Sequence, residues 1–246
     1  MRVAIMQPTY LPWCGYFDLV DQADIFVFLD TVDFARQRPN WQRENRILAA
    51  SGTRWLRLPT QRSQEGGGLI KNIGFKHQEW RRQHLEFIME SYEETPFYSP
   101  IVALLEPALN TQHALLADLN IALIKTISDY LGIETQFVRA SDLPNITATK
   151  DGRLLALCEA VEASSYLSPL GSAGYIDPVG FARRQVALSY QNFEHPVYDQ
   201  AKNQTDFVAY MSTIDLLFNI GPQSLSILRS GRRPACQPDE IPQTAS

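Results

Sequence analysis

The chain has 246 residues, 45% of them hydrophobic and 20% charged, and a formal net charge of −5. That composition supplies ample material for a core in one large or two small domains, and its acidic balance excludes a general nucleic-acid surface, which needs a basic field. The three cysteines, Cys14, Cys158 and Cys236, are far apart and lack metal-ligand spacing, which excludes a disulfide framework.

A reducing cytoplasm is therefore the expected location. The N-terminal apolar run, Val3 to Ile5, is too short for a signal segment, and no apolar stretch approaches the length of a membrane span.

Val3-Ala4-Ile5 predicts a first strand, and Tyr16 to Gln22 a helix. Between them lies a proline-bracketed loop from Gln7 to Gly15, in which Pro8 and Pro12 restrict the backbone. Ile25 to Leu29 predicts a buried strand closed by Asp30. An arginine- and aromatic-rich loop, Phe34 to Asn45, follows, then two strand runs, Arg46 to Ala50 and Thr53 to Leu58, about Ser51-Gly52 as a β-hairpin. Arg62 to Gly68 reads as a flexible loop and Ile70 to Phe75 as a strand.

Residues 78 to 131 read as helical: Trp80, His84, Phe87 and Ile88 share a face, Ile101 to Leu109 form a short helix, and Leu115, Leu119, Leu123 and Ile127 make a long stripe ending at Gly132. Ile133 to Val138 predicts a strand, Asp151 to Ala163 a helix, Ser165 to Ser168 a strand, Val186 to Phe193 a strand and Ile214 to Ile220 a helix. Strands alternating with helices imply an α/β fold with a mainly parallel, three-layer sheet, a β-hairpin excursion and a helical middle segment. Residues 1–228 are expected to form one α/β domain, with the helices of about 78–131 as an insertion and 229–246 as a disordered tail.

Candidate chemistry clusters in four places. The first is the opening loop with Asp30 and Asp33. In open parallel sheets ligands bind outside the carboxyl ends of strands, where both Gln7 and Asp30 should fall. A carboxylate there can hold a ribose hydroxyl, a Mg²⁺ ion or an amino group; Asp30 and Asp33 can equally cap the following turn. The second is the run Asn40-Trp41-Gln42-Arg43-Glu44-Asn45-Arg46 following Arg36 and Arg38, whose four arginines, tryptophan and two asparagines suit an anion or a planar ring, with Asn45 offering a neutral bidentate side chain before a strand. A solvated charged hairpin is the plainer account.

The third is the loop from Ser168 to Gly174, where small residues after a strand can expose backbone N–H groups to a phosphate or carboxylate. It carries neither a Walker lysine nor the dinucleotide glycine pattern, and an ordinary turn would also explain it. The fourth is His195, held extended before Pro196 and suited to a general base, although a lone histidine is more often structural. The sequence specifies no cofactor, no metal site and no oligomeric state.

Several segments together resemble the WbqC-like family. They are Met6-Gln7-Pro8-x-Tyr10-x-Pro12-x-x-Gly15-Tyr16-Phe17, Asp24-x-Phe26-Val27-x-x-Asp30-x-Val32, Trp41-x-x-x-Asn45-Arg46-Ile47, Tyr166-Leu167-Ser168 with Gly171 and Tyr175, and Ile214-Asp215-Leu216-Leu217-Phe218-Asn219-x-Gly221. Departures occur at Thr31 and Asp33 and at Arg43-Glu44, where the family often has Asp-Asp-Val-Gln and Asn-Arg-Asn.

The resemblance implies a protein of bacterial surface-polysaccharide (O-antigen) biosynthesis that transfers glycine or another acyl group to a sugar or nucleotide-sugar. On that reading His195 and Asp30 would be catalytic, and Gln7, Tyr10, Gly15, Tyr16, Asp33, Trp41, Asn45, Arg46, Ser168 and Gly171 would bind substrate. A nucleotide-binding ligase or nucleotidyltransferase is the alternative, as is a non-catalytic nucleotide-sugar module. The similarity to HIGH-type adenylate-forming enzymes is fainter, since Gly15-Tyr16-Phe17 stands where their histidines would be.

Overall fold

The structure is a computed structural model that describes residues 1–62, 67–200 and 206–241. In chain order its strands and helices are β1 (Arg2–Met6), α1 (Cys14–Asp21), β2 (Ile25–Phe28), β3 (Glu44–Ala49), β4 (Gly52–Arg57), β5 (Thr60–Arg62), β6 (Ile73–Phe75), α2 (Trp80–Tyr92), α3 (Tyr98–Asn110), α4 (Leu116–Leu131), β7 (Gln136–Arg139), α5 (Lys150–Ala160), β8 (Ser165–Ser168), α6 (Pro178–Arg183), β9 (Ala187–Phe193), α7 (Thr213–Ile220), α8 (Ser224–Ser230) and β10 (Arg232–Cys236).

Six strands form the central sheet in the order β10-β9-β8-β1-β2-β7. All neighbours are parallel except β9 and β10. β1 sits in the middle, with Val3 opposite Ile25 of β2 on one side and Tyr166 of β8 on the other.

Alternate residues of these strands feed two separate apolar layers. Ala4, Phe26 and Phe28 pack with Phe17 and Leu19 of α1, the α4 stripe and Leu217 of α7. Val3, Ile5, Ile25 and Val27 pack with Leu154 and Leu157 of α5 and Phe181 of α6. Both sheet faces are covered, so the parallel strands read as continuous apolar runs rather than as alternating ones.

The chain winds from β1 through β2 to β7 in one direction, then crosses to β8 and β9 on the other side of β1. The sequence order thus reverses between β1 and β8, and the crevice at their carboxyl ends is where such sheets bind ligands.

The β3–β4 hairpin forms in the expected place, pairing Asn45 with Leu56 and Ala49 with Gly52, whose φ of 105° suits glycine. The expected strand at Ile70 to Phe75 is a 3₁₀ turn over Ile70–Asn72 followed by the short β6, because Ile70 and Ile73 both turn into the core. Residues 63–66 of the expected flexible loop lie outside the described residues.

The expected disordered tail differs more. Arg232–Cys236 forms the antiparallel edge strand β10, and only 242–246 lie outside the described residues. Pro234 falls where the register shifts, as an edge strand tolerates. Charge holds this strand down: Arg232 Nε donates to buried Asp18 at 2.8 Å and its other nitrogen reaches Asp21, which Arg229 also clasps.

Asp18 also accepts from Gln22 and Gln191. Truncation by Arg232→Ala leaves a fully buried carboxylate without its cation. The expected cost is about 2–3 kcal/mol in a urea titration, larger than for Arg233→Ala on the same strand.

Candidate active-site cavity

At the carboxyl ends of β1 and β8 opens a cavity of about 600 Å³. Ile5, Met6, Leu29, Leu154 and Tyr166 supply its apolar part, and Trp13, Tyr16, Trp41, Tyr175 and Tyr210 add aromatic walls. Gln7, Thr9, Asn40, Gln42, Asn45 and Ser172 bring polar groups, and Arg46 brings the one formal charge among the described residues. No aspartate, glutamate, histidine, lysine or cysteine lines it among the described residues. Burial pushes the Tyr16, Tyr166 and Tyr175 hydroxyls up, so they stay neutral.

The loop leaving β1 is held open by its neighbours. Leu11 has a φ of 43°, an uncommon conformation for a branched residue. Asn45 offsets this strain: its Nδ2 donates to the Tyr10 and Leu11 carbonyls at 3.3 and 2.6 Å, while its Oδ1 accepts from the Arg46 amide at 2.8 Å. The Tyr10 amide donates to the Trp41 carbonyl, the Thr213 amide to Pro12 and the Ser212 amide to Arg46. The loop is therefore tied both to β3 and to the start of α7.

Gly15 is required for a packing reason. A Cβ at that position would meet the Trp13 indole at 2.2 Å, so the ring lies flat over the glycine before reaching the cavity.

A chain of side-chain amides forms the polar wall. The Ala35 amide donates to Gln42 Oε1 at 3.0 Å, and Gln42 Nε2 donates to Gln7 Oε1 at 2.7 Å. Asn40 joins both ends of this loop, accepting from the Gln42 amide and donating to the Ala35 carbonyl. From below, buried Asn120 on α4 donates to the carbonyls of Pro8 and Gln42 at 3.0 and 2.7 Å. Buried Glu44 accepts from the Asn40 amide and from Arg57 Nε. Among the described residues, the buried polar groups of this wall are paired, except Asn120 Oδ1, which has no partner.

Seven of the sequence-selected residues lie at or directly behind the cavity. Gln7, Tyr16, Trp41, Asn45, Arg46 and Gly171 line it, and Gly15 seats Trp13. Trp41 is 43% exposed and stacks on Trp55 with ring centres 5.8 Å apart. Arg46 reaches the Tyr210 carbonyl through Nε at 3.3 Å.

The others stand elsewhere. Tyr10 is buried, its hydroxyl 2.8 Å from His84 Nδ1, and it supports the loop from beneath. Ser168 is buried against Tyr166 and Ser172, so Ser172 rather than Ser168 meets the cavity.

Asp30 is fully buried. It accepts from the Ser141 amide and hydroxyl at 3.0 and 2.7 Å and from Arg139 Nε at 3.2 Å, joining the ends of β2 and β7. Asp33 pairs through its backbone with Leu69, away from the cavity. His195 is also outside it. Its Nδ1 lies 2.9 Å from the Pro196 carbonyl, and its ring packs against Trp13 and Tyr210 with centres 6.2 and 5.2 Å away. Burial lowers its basicity.

Gln42 and Ser172 fall within the candidate segments and Asn120 within a family-like motif, but sequence reasoning assigned none of them a role of its own, and it did not point to Tyr210. Gln42 and Asn120 gave a signal in retrospect, as an amide beside a tryptophan and an asparagine inside an apolar helical stripe. Behind Trp13 a second polar cluster is sealed from the cavity. Buried Asp215 on α7 accepts from Tyr92, Tyr198 and Gln200 at 2.9, 2.7 and 2.8 Å. Burial pushes its carboxyl up, and the three donors partly oppose that.

Fold and site together define a doubly wound α/β protein with an aromatic, amide-lined small-molecule cavity at its switch point. The chain belongs to the WbqC-like protein family, whose profile matches residues 7–227. It is also similar to the uncharacterized protein Rv1507c of Mycobacterium tuberculosis, at 30% identity over 94% of this chain and 99% of that protein. No solved structure matches. Among the described residues, no helix is long and apolar enough to cross a membrane.

Two tests follow from the supports of the loop. Burial pushes the His84 imidazole down to about 4, against about 6.5 when unfolded. The unfolded state binds the extra proton first, so this contribution is complete above pH ~6.5 and is lost as the pH falls to ~4, a span of about 3 kcal/mol. Urea titrations should show that fall, and His84→Gln should remove it. Separately, Gly15→Ala should displace Trp13 and quench or shift its fluorescence, with a stability loss of about 1–3 kcal/mol from overpacking.

Proposed function

We propose that the cavity binds a sugar phosphate or nucleotide-sugar, and that the chain acts as an aminoacyl or acyl (glycine-type) transferase on that sugar in bacterial surface-polysaccharide biosynthesis. The observation that carries the binding half is a cavity whose one charge among the described residues is the Arg46 guanidinium, set among aromatic rings and side-chain amides. Stacked faces such as Trp41 suit the apolar face of a pyranose or a base, amides suit hydroxyls and carbonyls, and a guanidinium suits a phosphate. The family resemblance supports the transfer half.

The lining also bears on mechanism. With no carboxylate, imidazole, thiol or ammonium at the cavity among the described residues, transfer would proceed by positioning an already activated acyl donor against a nucleophile of the sugar, the donor's leaving group departing as the new acyl bond forms. Asp30 and His195 would then act through structure, Asp30 by joining β2 to β7 and His195 by backing Trp13. The same lining favours a second reading, a non-catalytic nucleotide-sugar module. A ligase holding Mg²⁺ on Asp30 draws no support from a carboxylate already engaged by Arg139 and Ser141.

Calorimetry with UDP-sugars and hexose 1-phosphates should give saturable binding, and Arg46→Met should weaken it about tenfold or more, the worth of a charged hydrogen bond. Absence of binding by every such ligand at millimolar concentration would sink the proposal. Labelled acyl transfer to a bound sugar phosphate or nucleotide-sugar separates the transferase from the module.

A further inference from the structure

The orientation of Gln7 follows from its partners. A backbone N–H can only donate, so the Ala35 amide fixes the Gln42 atom it meets as the carbonyl oxygen. The other end of that amide, Gln42 Nε2, is then a donor, and the Gln7 atom facing it at 2.7 Å must be Oε1. Gln7 lines the cavity, and its Nε2 is the end left free of the relay. It has no protein partner among the described residues and is not a sealed, unsatisfied atom.

Turning Gln7 over would set two N–H₂ groups against each other. Turning Gln42 as well would set an N–H₂ against the Ala35 amide. The relay therefore permits one arrangement, and Asn40 locks the Ala35 end by bonding both the Ala35 carbonyl and the Gln42 amide.

From this we infer that Gln7 Nε2 is a specificity-determining donor that receives the acyl carbonyl oxygen of an N-acylated amino-sugar phosphate. The inference rests on the sugar-phosphate reading above and deepens it. Arg46, the other strong donor at the cavity, carries no acceptor either. Gln7 Nε2 and Arg46 therefore favour groups that accept, such as an acyl carbonyl and a phosphate. They disfavour a free ammonium, which brings donors and a like charge. Asn45 cannot reverse this preference, because both its amide hydrogens and its oxygen are spent on Tyr10, Leu11 and Arg46.

The test compares N-acetylglucosamine 1-phosphate with glucosamine 1-phosphate by calorimetry on the full chain. Wild type should prefer the acetylated sugar. Gln7→Met, which keeps length but removes the donor, should weaken binding of the acetylated sugar by about three- to tenfold, the worth of one neutral hydrogen bond, and shrink the preference accordingly. Gln7→Glu keeps an acceptor toward Gln42 but presents oxygen to the cavity, and should reverse the preference.

Gln42→Met removes the orienting partner and should lower the preference while Gln7 is still present, an effect that bulk packing would not produce. If wild type binds both sugars equally, or Gln7→Met keeps the full preference, the inference fails while the sugar-phosphate reading stands. If wild type binds neither sugar but does bind UDP-sugars, the reading survives and the assignment of Gln7 to a sugar acyl group is lost. Failure to bind any of them removes both.

Discussion

The architecture of the cavity depends on the two bonds from Asn45 Nδ2 to the carbonyls of Tyr10 and Leu11. They hold Leu11 in a left-handed conformation that a branched residue adopts only at a cost of about 1–3 kcal/mol. This turn sets the course of the chain from the end of β1 to the start of α1. Were it to relax, Trp13 would leave Gly15 and the amide wall would lose its partner in Gln7. The same asparagine accepts from the Arg46 amide, so the cation and the loop are set by one side chain.

Burial makes this arrangement specific rather than merely stable. Asn40, Gln42, Glu44, Asn45 and Asn120 are all buried polar residues within a short distance of the loop. Each would cost free energy if left unpaired, and each pairs mainly with backbone. An alternative packing would have to satisfy all of them at once. The middle helices thus do more than cover the sheet: α4 contributes Asn120 beneath the Pro8 and Gln42 carbonyls, and α2 contributes His84 beneath Tyr10.

The strands and helices of the sheet were legible because their residues obey local rules. Val3-Ala4-Ile5 and Ile25 to Phe28 are apolar on both faces, which only a covered parallel sheet demands. β10 was not legible, because Pro234 and the flanking arginines read as loop until Asp18 and Asp21 of α1 stand beside them. Gln7, Trp41, Asn45 and Arg46 could be picked from the sequence since residues of those types near strand ends suit ligand contact. The partners of a carboxylate could not be picked. Asp30 sits at a strand end as a ligand-binding aspartate would, but Arg139 and Ser141, more than a hundred positions away, occupy it.

Two titratable groups outside the cavity lining stand by its supports: His195 packs against Trp13, and buried Asp215 on α7 binds Tyr92 and Tyr198. Charged or titratable groups in that position raise the cost of moving α7 and the His195 segment relative to the loop, because Asp215 would lose three donors in a region from which water is excluded. Among the described residues, neutral amides, hydroxyls and one guanidinium line the cavity. A lining built this way offers shape and the direction of its hydrogen bonds as its means of discrimination.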